Sequence, residues 1–168
     1  MKVTITVFLL CISLFCFSQD RVFKGSEWQI KTEVPFGLGA SSETVGMGIM
    51  ASYFASNDFG FNFGLSYVNT TVEYYYSNFG YDVYSYSAFP ITLGLVKRWA
   101  VSRSVIEPYV SVNYRLGSEY GRSMESVVGA EFNWTPRLAS YAAFGMSTQN
   151  LEPRFFTNSG FRYSFGFH

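Results

Sequence analysis

Between Phe59 and Tyr67 the large side chains Phe59, Phe61, Phe63, Leu65 and Tyr67 alternate without a break with Gly60, Asn62, Gly64 and Ser66. A period of two belongs to a β-strand with two unlike faces. One face here is wholly apolar and aromatic, and the other is nearly empty. The pattern returns near the C-terminus, where Phe161, Tyr163, Phe165 and Phe167 alternate with Arg162, Ser164 and Gly166. A chain built on such strands must hide one greasy face of a sheet from water.

Residues 1–18 read as a cleaved export signal. Lys2 is the positive start, Val3 to Phe17 the apolar stretch, and Cys16 and Ser18 the small residues at −3 and −1 of a cut before Gln19. The apolar run is short for a membrane span of about 20 residues, and no basic cluster follows it. Leu10 and Phe15, which precede the two cysteines, are too bulky for a lipoprotein signal. Cys11 and Cys16 would leave with the segment, so residues 19–168, the expected single domain, hold no thiol, disulfide or cysteine-based metal site. The whole chain has 12 basic and 12 acidic residues. Such a balance gives no electrostatic case for nucleic acid. No apolar run after the signal reaches the length of a membrane helix, whereas a membrane β-strand needs only about 9–11 residues.

Eight strands are expected, at about Glu27–Phe36, Val45–Phe54, Phe59 to beyond Val68, Tyr84–Trp99, Ile106–Gly117, Glu125–Trp134, Leu138–Thr148 and Phe156–Phe167. A polar, tyrosine-rich loop or hairpin tip is expected from Tyr74 to Val83, and Gln149 to Arg154 reads as a loop. The links are short and no segment has a helical period. The fold class is therefore all-β, a closed eight-stranded antiparallel up-and-down transmembrane barrel.

Alternation alone does not say which face points outward, because a soluble barrel with an apolar interior also alternates. Three features favour apolar-out. An eight-stranded barrel is just wide enough to be filled by side chains, and Gly60, Gly64, Ser66, Gly94, Gly129, Gly145, Ser164 and Gly166 suit that narrow lumen. Lys31, Glu33, Glu107, Arg115, Glu131 and Arg162 share the same parity, and a cation facing the bilayer midplane costs about 2–4 kcal/mol. The expected lumen network is Lys31, Glu33, Arg115, Glu131 and Arg162, with Arg115 on Glu131 and with Arg162 on Glu33 or the neighbours of Lys31. Third, Trp28, Trp99 and Trp134 fall on the outward parity at one rim, with Phe165 and Phe167, as an aromatic girdle at a membrane interface.

On these residues the chain resembles the small OmpA/OmpX-like outer-membrane β-barrel proteins of Gram-negative bacteria. The resemblance rests on the export signal, the dyad strands and the closing run Tyr163, Ser164, Phe165, Gly166, Phe167. It implies residence in outer-membrane lipid as a monomer. It also implies reading of the last strand by the barrel-assembly machinery, although here His168 follows the terminal aromatic residue.

Little in the sequence points to chemistry. His168 is the only histidine, and a triad needs a histidine fixed by packing and oriented by a carboxylate. No catalytic, cofactor or metal residue is expected. Gly46, Gly48 and Ala51 fit a dinucleotide fingerprint only in letters, since that motif must open a helix. The sequons at Asn69 and Asn133 carry no weight in a bacterial envelope. Tyr74, Tyr75, Tyr76, Tyr81, Tyr84 and Tyr86 form the best candidate contact surface, because tyrosine offers large amphipathic area at low entropy cost. Glu43, Glu73, Asp82, Glu119 and Glu125 read as scattered solvated acids. The expected role is structural, adhesive or in envelope integrity, with no open pore. The alternatives are an outer-membrane lipid-modifying enzyme and a soluble periplasmic barrel for a hydrophobic ligand.

Overall fold

A computed structural model describes residues 26–39, 42–55, 59–76, 80–99, 105–117, 121–149 and 152–166. The expected signal segment, Glu119, Phe167 and His168 lie outside them. Ten β segments appear in order: β1 (Glu27–Glu33), β2 (Phe36–Leu38), β3 (Ser42–Phe54), β4 (Phe59–Tyr76), β5 (Gly80–Ala88), β6 (Ile91–Arg98), β7 (Ile106–Gly117), β8 (Gly121–Asn133), β9 (Leu138–Gln149) and β10 (Glu152–Gly166). They make eight barrel strands. β1 and β2 follow one register against β10, from Lys31 opposite Arg162 to Phe36 opposite Thr157. β5 and β6 likewise follow one register against β4.

Each interruption is a proline. Pro35 accepts from the N–H of Gly46 (3.0 Å) and Pro90 from that of Ser66 (3.2 Å), but neither can return a bond. Every pairing is antiparallel, and β1 bonds both β3 and β10, so the sheet closes on itself.

Outward parity carries the grease. Phe59, Phe61, Phe63, Leu65, Ile91, Leu93, Leu95, Val112, Val128, Phe144, Phe155 and Phe161 are all exposed. The run from Phe59 to Tyr67 matches the roughly 9–11 residues with which a tilted strand crosses hydrocarbon. Inward parity carries nine buried charged residues, Glu27, Lys31, Glu33, Arg98, Glu107, Arg115, Glu125, Glu131 and Arg162. The soluble alternative, with its apolar face inward, is thereby excluded. An exterior of this kind is a lipid-facing surface.

The lumen is filled by a specific device. Phe54, Tyr109 and Phe156 point inward, and each lies directly opposite a glycine on the neighbouring strand: Gly60, Gly129 and Gly145. A Cβ on Gly129 would stand 2.6 Å from the Tyr109 ring, and one on Gly145 would stand 2.5 Å from the Phe156 ring. Three of the small residues that suit a narrow lumen, Gly60, Gly129 and Gly145, are thus seats for aromatic rings. With Val96, Val127, Tyr141 and Ala143 these rings form the buried apolar cluster.

The strands exceed the sequence expectation at one end of the barrel. Of the two expected alternatives for Tyr74 to Val83, the structure shows the hairpin, with strand up to Tyr76 and again from Gly80. β10 begins at Glu152 and includes Pro153, and β8 begins at Gly121. These arms lack the apolar dyad because they rise above the lipid-facing band, while ladder bonds still hold them together. Gly80 and Gly121 open two of them with φ of 103° and 76°, which L side chains rarely adopt.

The closing seam is the tightest backbone approach. A Cβ on Gly160 would fall 1.9 Å from the carbonyl oxygen of Thr32 on β1. Gly160→Ala is expected to lower stability by about 1–3 kcal/mol, the scale of overpacking, in urea unfolding of the detergent-folded protein. Gly64→Ala, with nothing nearer than 3.3 Å, is expected to stay close to the parent.

Candidate functional site: a plugged lumen and a tall hairpin

β1 places Glu27, Lys31 and Glu33 on the inward parity, spaced along the lumen axis. Each reaches the far wall. Glu27 meets Arg98 of β6 at 2.6 Å, Lys31 meets Glu131 of β8 at 2.7 Å, and Glu33 meets Arg115 of β7 at 3.8 Å. Arg162 also reaches Glu131 (3.1 Å), so one carboxylate serves two cations. To get there Arg162 crosses β9 at Ala139, its cross-strand partner, and that small side chain leaves the path open. Arg162 additionally donates to Ser164 and to Asn133.

Arg115 pairs at 3.1 Å with Glu125. This corrects two expectations. Glu125 is buried at 3% exposure, and is not a solvated surface acid. Arg115 is not beside Glu131: its cross-strand partner is Ser123, and Glu131 lies eight residues further along β8, roughly 26 Å at about 3.3 Å per residue. Nor does Arg162 take Glu33, which instead accepts from Asn158 at 2.8 Å. The pairing of Gly117 with Gly121 sets Arg115 opposite Ser123.

Neutral groups complete the plug. Asn62 donates to Asn113 (3.1 Å) and accepts from Ser52 (2.8 Å). The Tyr141 hydroxyl donates to the Thr32 carbonyl at 2.7 Å. Lys31 lies over the Tyr109 ring at 4.7 Å, and Arg98 over the Phe54 ring at 3.8 Å. Sequence reading placed Glu107 inside but missed Glu27, Arg98, Tyr109 and Tyr141, whose parity is the only signal. Two cavities lined by these residues measure about 20 and 30 Å³. A single water needs about 10–15 Å³, so each has room for a water or two.

At the end of the barrel that holds Glu27 and Gly166, Trp28, Trp99 and Trp134 ring the outside. Trp28 packs on Tyr53 at 4.9 Å, and Trp134 on Phe161 at 6.3 Å while its indole donates to Ser140 at 3.0 Å. Phe165 stacks on Tyr163 at 6.4 Å. Lys97, on the same rim, lays its ammonium 4.3 Å over Phe59.

The opposite end is dominated by the β4–β5 hairpin. Pairing of β3 with β4 stops at Val72, and pairing of β6 with β7 stops at Leu116. Above those points β4 and β5 pair only with each other among the described residues. One face is a hydroxyl and amide ladder: Tyr67 to Ser87 (2.9 Å), Asn69 to Ser87 (3.1 Å) and Thr71 to Ser85 (3.1 Å). The other continues the lumen parity from the buried Val68–Ala88 pair up to Tyr74, Asp82, Tyr84 and Tyr86. Tyr74 and Tyr84 are 52% and 59% exposed, and Tyr84 stacks on Tyr86 at 6.1 Å. These tyrosines therefore stand over the barrel mouth and not on the lipid side. For Tyr75, Tyr76 and Tyr81 the strand backbone is described, with Tyr75 opposite Tyr81. Glu43, Glu73 and Asp82 are exposed here.

Solved structures share this architecture. The outer membrane protein OprG from Pseudomonas aeruginosa superposes with a TM-score of 0.67 at 11% identity, over 89% of this chain and 100% of its own. A de novo designed transmembrane β-barrel gives 0.58 at 17%, over 85% and 98%. Ail of Yersinia pestis, in complex with the heparin analogue sucrose octasulfate, gives 0.52 at 18%, over 85% and 100%. The chain has the fold of a small outer-membrane β-barrel. No family model and no curated protein matches its sequence. A designed barrel among the neighbours shows that this likeness carries architecture and not activity.

Glu131 is a buried carboxylate that pairs with two cations, Lys31 and Arg162. Glu131→Gln strands Lys31 and Arg162 together and is expected to cost about 3–5 kcal/mol, the scale for breaking a buried ion pair. The loss would appear as a lower urea midpoint in detergent, with an unchanged slope.

Proposed function

We propose that this protein is an integral outer-membrane barrel of the OmpA/OmpX-like class that keeps its own lumen shut and acts through its surface. Its role on this reading is structural, adhesive or in envelope integrity, and neither solute transport nor chemistry. The observation that carries the reading is the lumen, which among the described residues is filled by aromatic rings seated on glycines and by ion pairs running from β1 to the far wall.

The same reading orients the molecule. The tryptophan rim with Lys97 faces the periplasm, where amphipathic rings and a snorkelling cation suit the phospholipid interface. The tall hairpin then projects outside the cell, and its tyrosine face is the contact surface. Lipid is the barrel's standing partner, and insertion as a monomer depends on the barrel-assembly machinery. The exposed apolar belt supports this, since only hydrocarbon covers it without a protein partner.

Two measurements test the reading together. The protein recovered from outer-membrane fractions is expected to migrate faster on detergent gels unheated than boiled, as a stable barrel does. Purified protein in planar bilayers is expected to give no large, stable conductance steps, and regular steps of that kind would refute the closed lumen.

A further inference from the structure

The closing seam is irregular at one step. Val34 gives its N–H to the Ser159 carbonyl at 3.0 Å. Bonded and non-bonded partners alternate along an antiparallel pair, so Thr32 and Phe161, two residues back, fall at a bonded position. Yet the β1–β10 ladder ends at Lys31 opposite Arg162. The Phe161 N–H donates instead to the side-chain Oγ1 of Thr32, at 3.0 Å. The Thr32 carbonyl accepts from the Tyr141 hydroxyl, at 2.7 Å.

The surrounding residues make this exchange possible. Gly160 is the cross-strand partner of Tyr141, and the Thr32 carbonyl leans into the space where its Cβ would stand. Tyr141 passes over the same gap, from β9 across β10, to reach β1. Asn158 supports it from inside. Its Oδ1 accepts from the Val34 N–H at 3.1 Å and lies 3.5 Å from the Tyr141 hydroxyl, and its Nδ2 donates to Glu33 at 2.8 Å. Glu33 pairs with Arg115, so the seam is tied to the lumen charges.

On the lipid side Thr32 stands among the apolar outward residues Trp28, Ile30, Val34 and Phe36. A backbone N–H in hydrocarbon must find a partner, and here a threonine hydroxyl does the work of a carbonyl. Valine, of the same shape, could not. The other edge of this stretch is under-bonded as well, because Pro35 has no N–H to return to Gly46. Backbone ladder bonds part only when strands move. Side-chain bonds part by rotation about a single torsion.

We propose that Thr32, Tyr141 and Asn158 form a side-chain latch on the β1–β10 seam, and that its release is the local motion by which the ring parts sideways. With the latch closed, β1 is held to β10 from the lipid side by Thr32 and from the lumen by Tyr141 and Asn158. With it open, Thr32 to Pro35 keep few bonds to either neighbouring strand.

The test uses the full chain, isotope-labelled and folded in detergent micelles. Hydrogen exchange of single amides is followed by NMR at Phe161 and Val34 on the seam, and at Leu95 and Val112, a cross-strand pair of β6 and β7 on the far side of the ring. Thr32→Val and Tyr141→Phe are each expected to quicken exchange at the seam amides by about tenfold or more, the scale of one buried bond left unmade. Leu95 and Val112 are expected to keep the parent rate. Thr32→Ser retains the hydroxyl and is expected to stay within about twofold of the parent. The double variant Thr32→Val, Tyr141→Phe is expected to fall short of the product of the two single effects, because both bonds belong to one network.

Parent-like exchange at Phe161 in both single variants overturns the latch. Equal quickening at Leu95 and Val112 overturns it too, since these bonds would then serve global stability alone. Slower exchange at Phe161 in Thr32→Val does the same, because the carbonyl would have returned to the ladder and held the seam better. Thr32→Ser behaving like Thr32→Val removes the role of the hydroxyl. Heat-modifiable migration checks that each variant is folded. If Tyr141→Phe does not fold, the contrast between Thr32→Val and Thr32→Ser decides by itself.

Discussion

A peptide group in hydrocarbon without a hydrogen-bond partner costs several kcal/mol, so a sheet enters lipid only when it has no edge. That constraint explains most of this molecule. β1 must bond β3 and β10 at once, and the ring that results has a narrow inside that is too polar for grease. The two prolines show how little slack the rule allows. Pro35 and Pro90 each delete one bond, toward Gly46 and Ser66, and neither shifts the register of its strand.

Closure in turn dictates the interior. Lipid claims the large apolar side chains, so the lumen receives what lipid rejects. Charges put there are tolerated only if paired and bonded, and the narrow bore brings far walls within reach of long side chains. β1 exploits this with Glu27, Lys31 and Glu33, whose partners lie on β6, β8 and β7. The strand that seals the ring is thereby tied to the wall farthest from the seam. The remaining volume is taken by rings, each lying where the neighbouring strand has no side chain.

The sequence made the strand parity legible because lipid imposes it residue by residue: every outward position from Phe59 to Tyr67 had to be large and apolar. The closed eight-stranded architecture followed from that parity and the short links. The lumen pairings were harder. Parity puts Arg115 and Glu131 on the same face, but which charges meet depends on register and on reach across the bore. Register was not read, since the expected strands stop at Gly117 and resume at Glu125, whereas Gly117 pairs with Gly121 and sets Arg115 opposite Ser123. Reach was not, because Lys31 and Glu131 belong to strands that never touch. Glu125 was misread for a related reason. It follows polar, hairpin-like residues, and nothing local marks the height at which β8 enters the barrel. The tyrosine segment read as either a loop or a hairpin tip because strands above the lipid band have no apolar partner to alternate against.

The hairpin inverts the logic of the barrel below it. In the membrane the free edge is forbidden and the outward face is constrained, whereas in water an edge is merely hydrated and both faces are open. β4 and β5 keep their ladder for several residues after their other neighbours have stopped. They also carry exposed tyrosines on the face that continues the lumen. A polypeptide seeking only to reverse direction would turn sooner, as the chain does after Gly117. Extending the ladder fixes Tyr74, Asp82 and Tyr84 on a stiff support. Rigid placement lowers the entropy lost when a partner binds. A short flexible loop of the same composition would give up that advantage.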